Sequence, residues 1–235
     1  MAGNETPGMD TLMESPMETT LGEQLLLLSL DDESGTEKDS AKVSWAIAAA
    51  SLVELALAGR IDMTDDEVTV VDPAPLGEPA LDAALADIAC RDKPGKAKDW
   101  IHRLQKGAVA GASKGLIDKR LVRKEKKKVL GLFSVHRYPE ANGSVEAEVR
   151  QHLDAVVLRG GTPDERTASL VALLHGAKLH RLAFPDADTR KVETNMASIS
   201  HGQWPATAIR HVVKAAEDAL AAIVAVTVVT TVIGS

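Results

Sequence analysis

The sequence predicts a mainly α-helical, single-domain globular protein that carries one basic β-hairpin, and three observations lead there. Hydrophobic residues make up 45% of the 235-residue chain, while aromatics make up only 3%. The core is therefore expected to consist of Leu, Val, Ile and abundant Ala, which favour helix and let helices pack closely. Apolar positions recur mainly at helical spacing, and the length suits one hydrophobic core.

Residues 1–18 are polar, Met-rich and interrupted by Pro7 and Pro16; they are expected to be a disordered tail ahead of a domain over residues 19–235. Thr20, with Glu23 three positions on, makes a capping box and starts a helix through Leu25–Leu30. That helix should stop in the acidic turn Asp31-Asp32-Glu33-Ser34-Gly35. A second helix is expected from Ala41 to Gly59, because Val43, Ile47, Leu52, Leu55 and Ala56 keep helical spacing and Gly59 is a C-terminal stop. Ile61, Met63, Val68 and Val70 alternate about the turn Asp65-Asp66-Glu67, which predicts a short hairpin.

Pro73, Pro75 and Pro79 fix a loop into a helix over 79–90, and a linker of Lys, Gly and Pro at 91–96 leads to a helix from Asp99 to Lys119. Between Lys119 and Pro139, apolar Leu121-Val122 and Val129–Val135 flank a charged centre, which is the pattern of a basic hairpin. Helices are expected at 144–158, 163–182 and 206–233, with a looser, partly helical segment over 186–200. Ala219–Ile233 is apolar apart from its threonines. At 15 residues it is shorter than the roughly 20 that span a bilayer, so a helix buried in the core is expected.

The net charge of −7 hides a strong asymmetry. Residues 1–90 carry 19 acids and 3 bases, residues 91–150 carry 16 bases and 7 acids, and residues 151–235 carry 8 of each. One basic region on an acidic protein is expected to face an anionic partner. Cys90 is the sole cysteine, which excludes an internal disulfide or a cysteine metal cage and fits a reducing, cytoplasmic compartment. The N-terminal residues lack a basic n-region and an apolar h-region, so no secretory signal is expected.

Catalytic patterns fail on context. Gly111-Ala-Ser113-Lys-Gly115 matches G-x-S-x-G, but that chemistry needs a strand running into a sharp turn, and Trp100–Ala110 reads as helix. Gly107, Gly111 and Gly115 are better explained as a close-packing face. His175 and His180 are five apart, on different faces of one expected helix, and no histidine pair has zinc-site spacing. No enzyme, metal or cofactor is expected.

The basic hairpin carries Lys119, Arg120, Arg123, Lys124, Lys126, Lys127 and Lys128 against one acid, Glu125, followed by apolar Leu130, Leu132 and Phe133. Each lysine near an anionic membrane contributes roughly 1 kcal/mol, and apolar residues at a hairpin tip can enter the headgroup layer. Two other readings stand beside this one: lysines blunting a solvated strand edge, and the wing of a winged-helix nucleic-acid binder that reads with helix 99–115.

Taken in order, Thr20–Gly35, Leu52-Val-Glu-Leu-Ala-Leu-Ala-Gly-Arg-Ile61, Pro75–Leu85, Trp100-Ile101, the hairpin with Leu130–Phe133, and Thr162–Ala177 resemble the Golgi phosphoprotein 3-like family. The resemblance implies helices around a central bundle, a protruding hairpin used in membrane contact and self-association, and a buried last helix. Eukaryotic members bind phosphatidylinositol 4-phosphate on Golgi membranes and link glycosyltransferases to vesicle transport. Their headgroup is held by a tryptophan, whose place falls here at Asp39 or Ser40, and by three arginines, whose places fall at Ala48, Lys106 and Val109. Only Lys106 keeps the charge. The resemblance thus leaves Lys106, with His102, Arg103 and Trp45, as the headgroup candidates.

The Ala-, Val- and Asp-rich composition resembles that of a bacterial protein from a GC-rich genome. The expected function is a cytoplasmic, peripherally membrane-associated adaptor on an anionic phospholipid surface, with phosphatidylinositol 4-phosphate, protein cargo and a homo-oligomer through the hairpin as partners. A winged-helix-like nucleic-acid binder is the alternative, although no nucleic acid is expected as a partner; a lipid-independent scaffold is the third reading.

Overall fold

The computed structural model describes residues 19–31, 37–65, 67–91, 93–123, 125–129, 133–137, 144–202 and 207–233, with backbone alone at 126–129, 133–137, 207–208 and 227–233. The tail at 1–18, most of the acidic turn after Asp31, and Lys124, Leu130 and Leu132 lie outside the described residues.

The fold is mainly α, as the composition predicts. Helix α1 (Leu21–Ser29) opens with the expected capping box: the Thr20 hydroxyl accepts from the Glu23 N–H at 3.2 Å, and the Glu23 carboxylate accepts from the Thr20 N–H at 2.7 Å. Helix α2 (Ser40–Leu57) is apolar almost all round and is the central helix, packed by α1, by α4 (Ala97–Asp118), by α6 (Glu165–Gly176) and by α9 (Thr207–Ile233). A helix that is hydrophobic on every side must be covered on every side; Val43, Ala46 to Ala50, Leu52, Val53 and Leu55 are buried accordingly. Glu54 on α2 is buried too. It accepts from the Leu21 N–H and from both terminal nitrogens of Arg166 on α6, whose guanidinium also donates to the Thr19 carbonyl, so one carboxylate joins three helices.

Strands β1 (Ile61–Thr64) and β2 (Glu67–Val70) form the expected hairpin, with Asp65 in the left-handed region at φ 52°. A third strand was not foreseen: β3 (Gly95–Lys96) pairs Lys96 with Glu67 and Gly95 with Val68. Helix α3 (Pro79–Ala89) starts at a proline, and Asp82 in its first turn accepts from the Leu76 and Gly77 N–H groups, which fixes the incoming loop. The basic ribbon β4 (Glu125–Val129) and β5 (Phe133–Arg137) forms as predicted, with Lys126 opposite His136 and Lys128 opposite Ser134. Its strands pair only with each other among the described residues.

Four expectations need correction. The helix expected over 163–182 is two, α6 and α7 (His180–Ala183), with helix α5 (Ser144–Leu153) and a π-helical turn (Asp154–Leu158) before them. The break is a Schellman cap: Lys178 adopts φ 56°, and the Leu179 N–H reaches back to the Leu174 carbonyl at 2.9 Å. His175 and His180 therefore sit on different helices; His175 Nδ1 meets Glu217 Oε1 at 2.6 Å, joining α6 to α9. The segment over 186–200, expected to be looser and only partly helical, holds a regular helix, α8 (Thr189–Ser200), capped by Asp188.

The last helix is buried on one face only. Ala219, Leu220 and Val224 are enclosed, while Ala221, Ala222 and Ala225 are exposed, as is Val226 at 66%. At ~1.5 Å per residue, the 27-residue α9 outruns the 18-residue α2 it packs on. Finally, only two of the three glycines on α4 pack closely. A methyl at Gly111 would stand 3.0 Å from the Ala80 β-carbon and one at Gly115 would strike the Glu23 carboxylate, whereas Gly107 has open space.

Candidate functional site

Helix α4 organises the basic half of the molecule. Trp100, Ile101, Ala112, Ser113 and Leu116 point into the core, while Lys98, Asp99, His102, Arg103, Lys106, Gly107, Ala110, Lys114 and Asp118 are exposed. That spacing makes one outward stripe along a 22-residue helix, about 33 Å from the β3 end to the ribbon end. Ser113 of the G-x-S-x-G match is buried in mid-helix, with no strand or turn to raise it, so the match is a packing feature.

At the N-terminal end of α4 lies an open cleft of about 750 Å³ whose charged lining is Arg91, Lys93, Arg103 and Lys106 against Asp87 and Asp99. The β3 pairing creates it by folding the 91–96 linker back over Trp100. Gly95 permits this approach, since a β-carbon there would stand 2.8 Å from the indole nitrogen. Arg91 lies over the Trp100 ring, its guanidinium carbon 5.3 Å from the ring centroid. Arg103 grips Asp87 with two hydrogen bonds, which hold the Asp87 carboxyl below its ordinary pKa.

Of the four headgroup candidates, the structure brings His102, Arg103 and Lys106 to this cleft. Trp45 stands behind it on α2, half-buried and stacked on His102, with ring centroids 5.3 Å apart and planes 25° apart. One turn further, Gln105 Nε2 donates to the Ser44 hydroxyl at 2.8 Å and ties the two helices. Ala48, where the resemblance puts an arginine, is fully buried, and Val109 packs against the core. Sequence reasoning missed Arg91, Lys93 and Trp100. The available signal was four bases within the eight residues 91–98, followed directly by a tryptophan two positions on.

At the C-terminal end of α4 the charges behave differently. Lys119 is drawn into the body of the protein, only 12% exposed, with its ammonium 2.8 Å from Glu23 and 2.9 Å from Glu78. Burial works against its charge, but the hydrogen bonds to Glu23 and Glu78 outweigh this and hold its pKa above the ordinary value. Burial pushes the Glu23 carboxyl up despite Lys119 and the Thr20 N–H. Lys119 therefore does not lie with the charges of the ribbon. Arg120, left-handed at φ 59°, turns the chain out of the helix, and Arg120 and Arg123 are exposed where it leads into β4. Lys126, Lys127, Lys128 and Phe133 occupy the ribbon's strands.

The family model described as Golgi phosphoprotein 3 (GPP34) matches residues 21–216. Among curated relatives, "Vacuolar protein sorting-associated protein 74" of Eremothecium gossypii is 26% identical over 226 residues, spanning 79% of this chain and 68% of the relative. The protein of the same name from Schizosaccharomyces pombe is 29% identical over 166 residues, spanning 59% of this chain and 48% of the relative.

Proposed function

The chain belongs to the Golgi phosphoprotein 3 (GPP34) family, and from that premise we propose that it is a peripheral adaptor that docks on an anionic membrane and presents a protein-binding surface there. The observation that carries this reading is the outward stripe of α4. It runs from a cation-lined cleft to a ribbon bearing Lys126, Lys127 and Lys128, on a chain whose net charge is −7. A local field opposite in sign to the whole molecule orients it toward an anionic plane.

Arg120, Arg123 and Lys124 add to the attraction, while the apolar Leu130, Leu132 and Phe133 serve insertion or self-association. Lys119 contributes to the fold instead. The lipid is phosphatidylinositol 4-phosphate or a similar headgroup, held near Lys106, His102 and Arg103, with Trp45 backing the imidazole. The protein works at the cytoplasmic face of its membrane, where it carries protein cargo.

The test is a folded Lys126→Glu/Lys127→Glu/Lys128→Glu variant. Replacing three attractive charges by repulsive ones removes roughly 1 kcal/mol or more at each position, so binding to anionic vesicles should be abolished. Unchanged sedimentation with those vesicles overturns the ribbon's role.

A further inference from the structure

Helices α3 and α4 leave between them a groove of about 480 Å³ that the membrane-docking reading does not use. Its walls are small residues: Ala80, Ala83 and Ala84 on α3, and Gly107, Gly111 and Gly115 on α4. Gly22 of α1 and Ile47 of α2 line it as well. The Asp87–Arg103 pair bounds one end, and Glu23, Glu78 and Asp118 gather at the other. From Arg103 to Asp118 the helix runs about 22 Å, long enough for one extended dodecyl chain. Walls of this kind admit a slender, unbranched chain, and a β-carbon at Gly107 would meet nothing within 4 Å.

Small walls alone mark only close packing; the Glu23 carboxylate points to a ligand. Its side chain is 2% exposed and lines the groove. Both hydrogen bonds that described groups donate to it reach Oε2, from the Thr20 N–H at 2.7 Å and from Lys119 Nζ at 2.8 Å. Oε1 receives none, and it stands in the groove wall against Gly115, where a β-carbon would otherwise go. An enclosed carboxylate oxygen without a donor is costly. The charges are also uneven. Four carboxylates, Glu23, Glu78, Asp87 and Asp118, are met by three cations, Arg103, Lys114 and Lys119. The shortfall falls at the Glu23 end, where two carboxylates share the Lys119 ammonium. The raised pKa of Glu23 has the same cause, burial that its present donors do not offset.

We propose that the α3–α4 groove binds a long-chain amine: a single-chain amphiphile whose alkyl chain lies along the Ala and Gly walls and whose ammonium donates to Glu23 Oε1. A second ammonium there balances the two carboxylates that Lys119 now serves alone. The site goes beyond the membrane-docking reading and does not rest on it, since no described residue of the ribbon lines the groove.

The experiment titrates the full chain calorimetrically with dodecylamine, dodecanol, dodecanoate and butylamine, each below its micelle concentration. Wild type is compared with Glu23→Gln and Gly107→Phe, each checked for folding by circular dichroism. Gly107 is exposed with open space beside it, and Phe favours helix over Gly, so that variant should fold even if Glu23→Gln does not. Wild type should prefer dodecylamine to dodecanol and to dodecanoate by about tenfold or more, the effect of one charge-assisted hydrogen bond. Butylamine, with the same ammonium and little chain, should bind far more weakly. Each buried methylene contributes about fourfold in affinity, so a ring that displaces two or more from the groove costs about tenfold. Gly107→Phe should show that loss and keep wild-type sedimentation with anionic vesicles. Glu23→Gln should keep the dodecanol affinity and lose the preference for the amine.

Wild-type dodecylamine affinity in Gly107→Phe overturns the site, because the chain then lies elsewhere on the protein. Dodecanoate binding as tightly as dodecylamine, or no binding of any dodecyl probe, overturns it too. A wild-type mass of two chains in light scattering that falls to one in Gly107→Phe would make a second copy the occupant, and the amine proposal would fall. None of these outcomes bears on vesicle binding through the ribbon, which the triple ribbon variant tests separately.

Discussion

The two ends of α4 carry cations that look alike in sequence and act in opposite ways. At the N-terminal end, Arg91, Lys93 and Lys106 line an open cleft and make no close ion pair with a described carboxylate, although Arg91 helps to hold the Asp87 carboxyl down. At the C-terminal end, Lys119 is enclosed between Glu23 and Glu78. What separates them is the element packed opposite. The C-terminal half of α4 lies against α1, which supplies Glu23, and against the loop before α3, which supplies Glu78. The N-terminal half is met by a two-residue strand and a basic linker, and the one acid that α3 brings there, Asp87, is taken by Arg103. Charge run alone does not distinguish a binding surface from an internal strut.

The largest expected effect comes from breaking the strut. Lys119→Met leaves Glu23 buried without its cation, a loss of about 3 kcal/mol for an enclosed pair. Urea unfolding should report it, while the folded variant keeps wild-type vesicle binding. Undiminished stability would mean that Lys119 is as dispensable as a surface lysine. Next in size is Gly115→Ala, whose methyl collides with the Glu23 carboxylate. An overpacked site of this kind costs about 1–3 kcal/mol, and a midpoint equal to wild type would show that the two helices separate freely.

Gly107→Ala, two turns away on the same face, should have the opposite sign. Its β-carbon meets nothing, so the change stabilises by about 0.5–1 kcal/mol through helix propensity. A destabilised Gly107→Ala would mean that the open space is occupied in solution.

The pH response sharpens the same contrast. Burial raises Glu23 above its ordinary 4.5, so the folded state binds more protons than the unfolded state just above that value. Stability from this group therefore declines as pH rises from 4.5 through the folded pKa. Asp87, held down by Arg103 in the open cleft, has the reverse sign: its contribution is present above the ordinary 3.8 and lost as pH falls below it. Stability against pH for Glu23→Gln should lack the first decline, and Asp87→Asn should lack the acid-side loss. Superimposable profiles for all three proteins would contradict both assignments. The smallest effect belongs to Lys178→Gly, which relieves a left-handed lysine at some entropic cost and should gain about 0.5 kcal/mol in the same unfolding assay.

Local signals in the sequence were readable because their partners are near in the chain. The Thr20–Glu23 capping box, the Gly59 stop, the Asp65 turn and the Pro79 helix start all formed as expected. The Gly59 and Lys178 caps make the point by contrast. Both close a helix with the same backbone bonds, but only one carries the glycine that announces it. Strand β3 went unread because two residues have no periodicity, and its pairing is set by β2, about 28 positions earlier.

The site was legible in part for the same reason. His102, Arg103 and Lys106 share a helix face, which spacing reveals. Arg91, Lys93 and Trp100 join them only through β3 and the close approach at Gly95. The role of Lys119 was misjudged because Glu23 stands 96 positions away in sequence and 2.8 Å away in space.

The most direct test of the account is co-sedimentation of the wild-type protein with three vesicle types at low and physiological salt: neutral, anionic without phosphoinositide, and anionic with phosphatidylinositol 4-phosphate. The account predicts no binding to neutral vesicles, salt-sensitive binding to plain anionic ones, and binding to the phosphoinositide vesicles that persists at physiological salt. Failure to sediment with any anionic vesicle at low salt would contradict it.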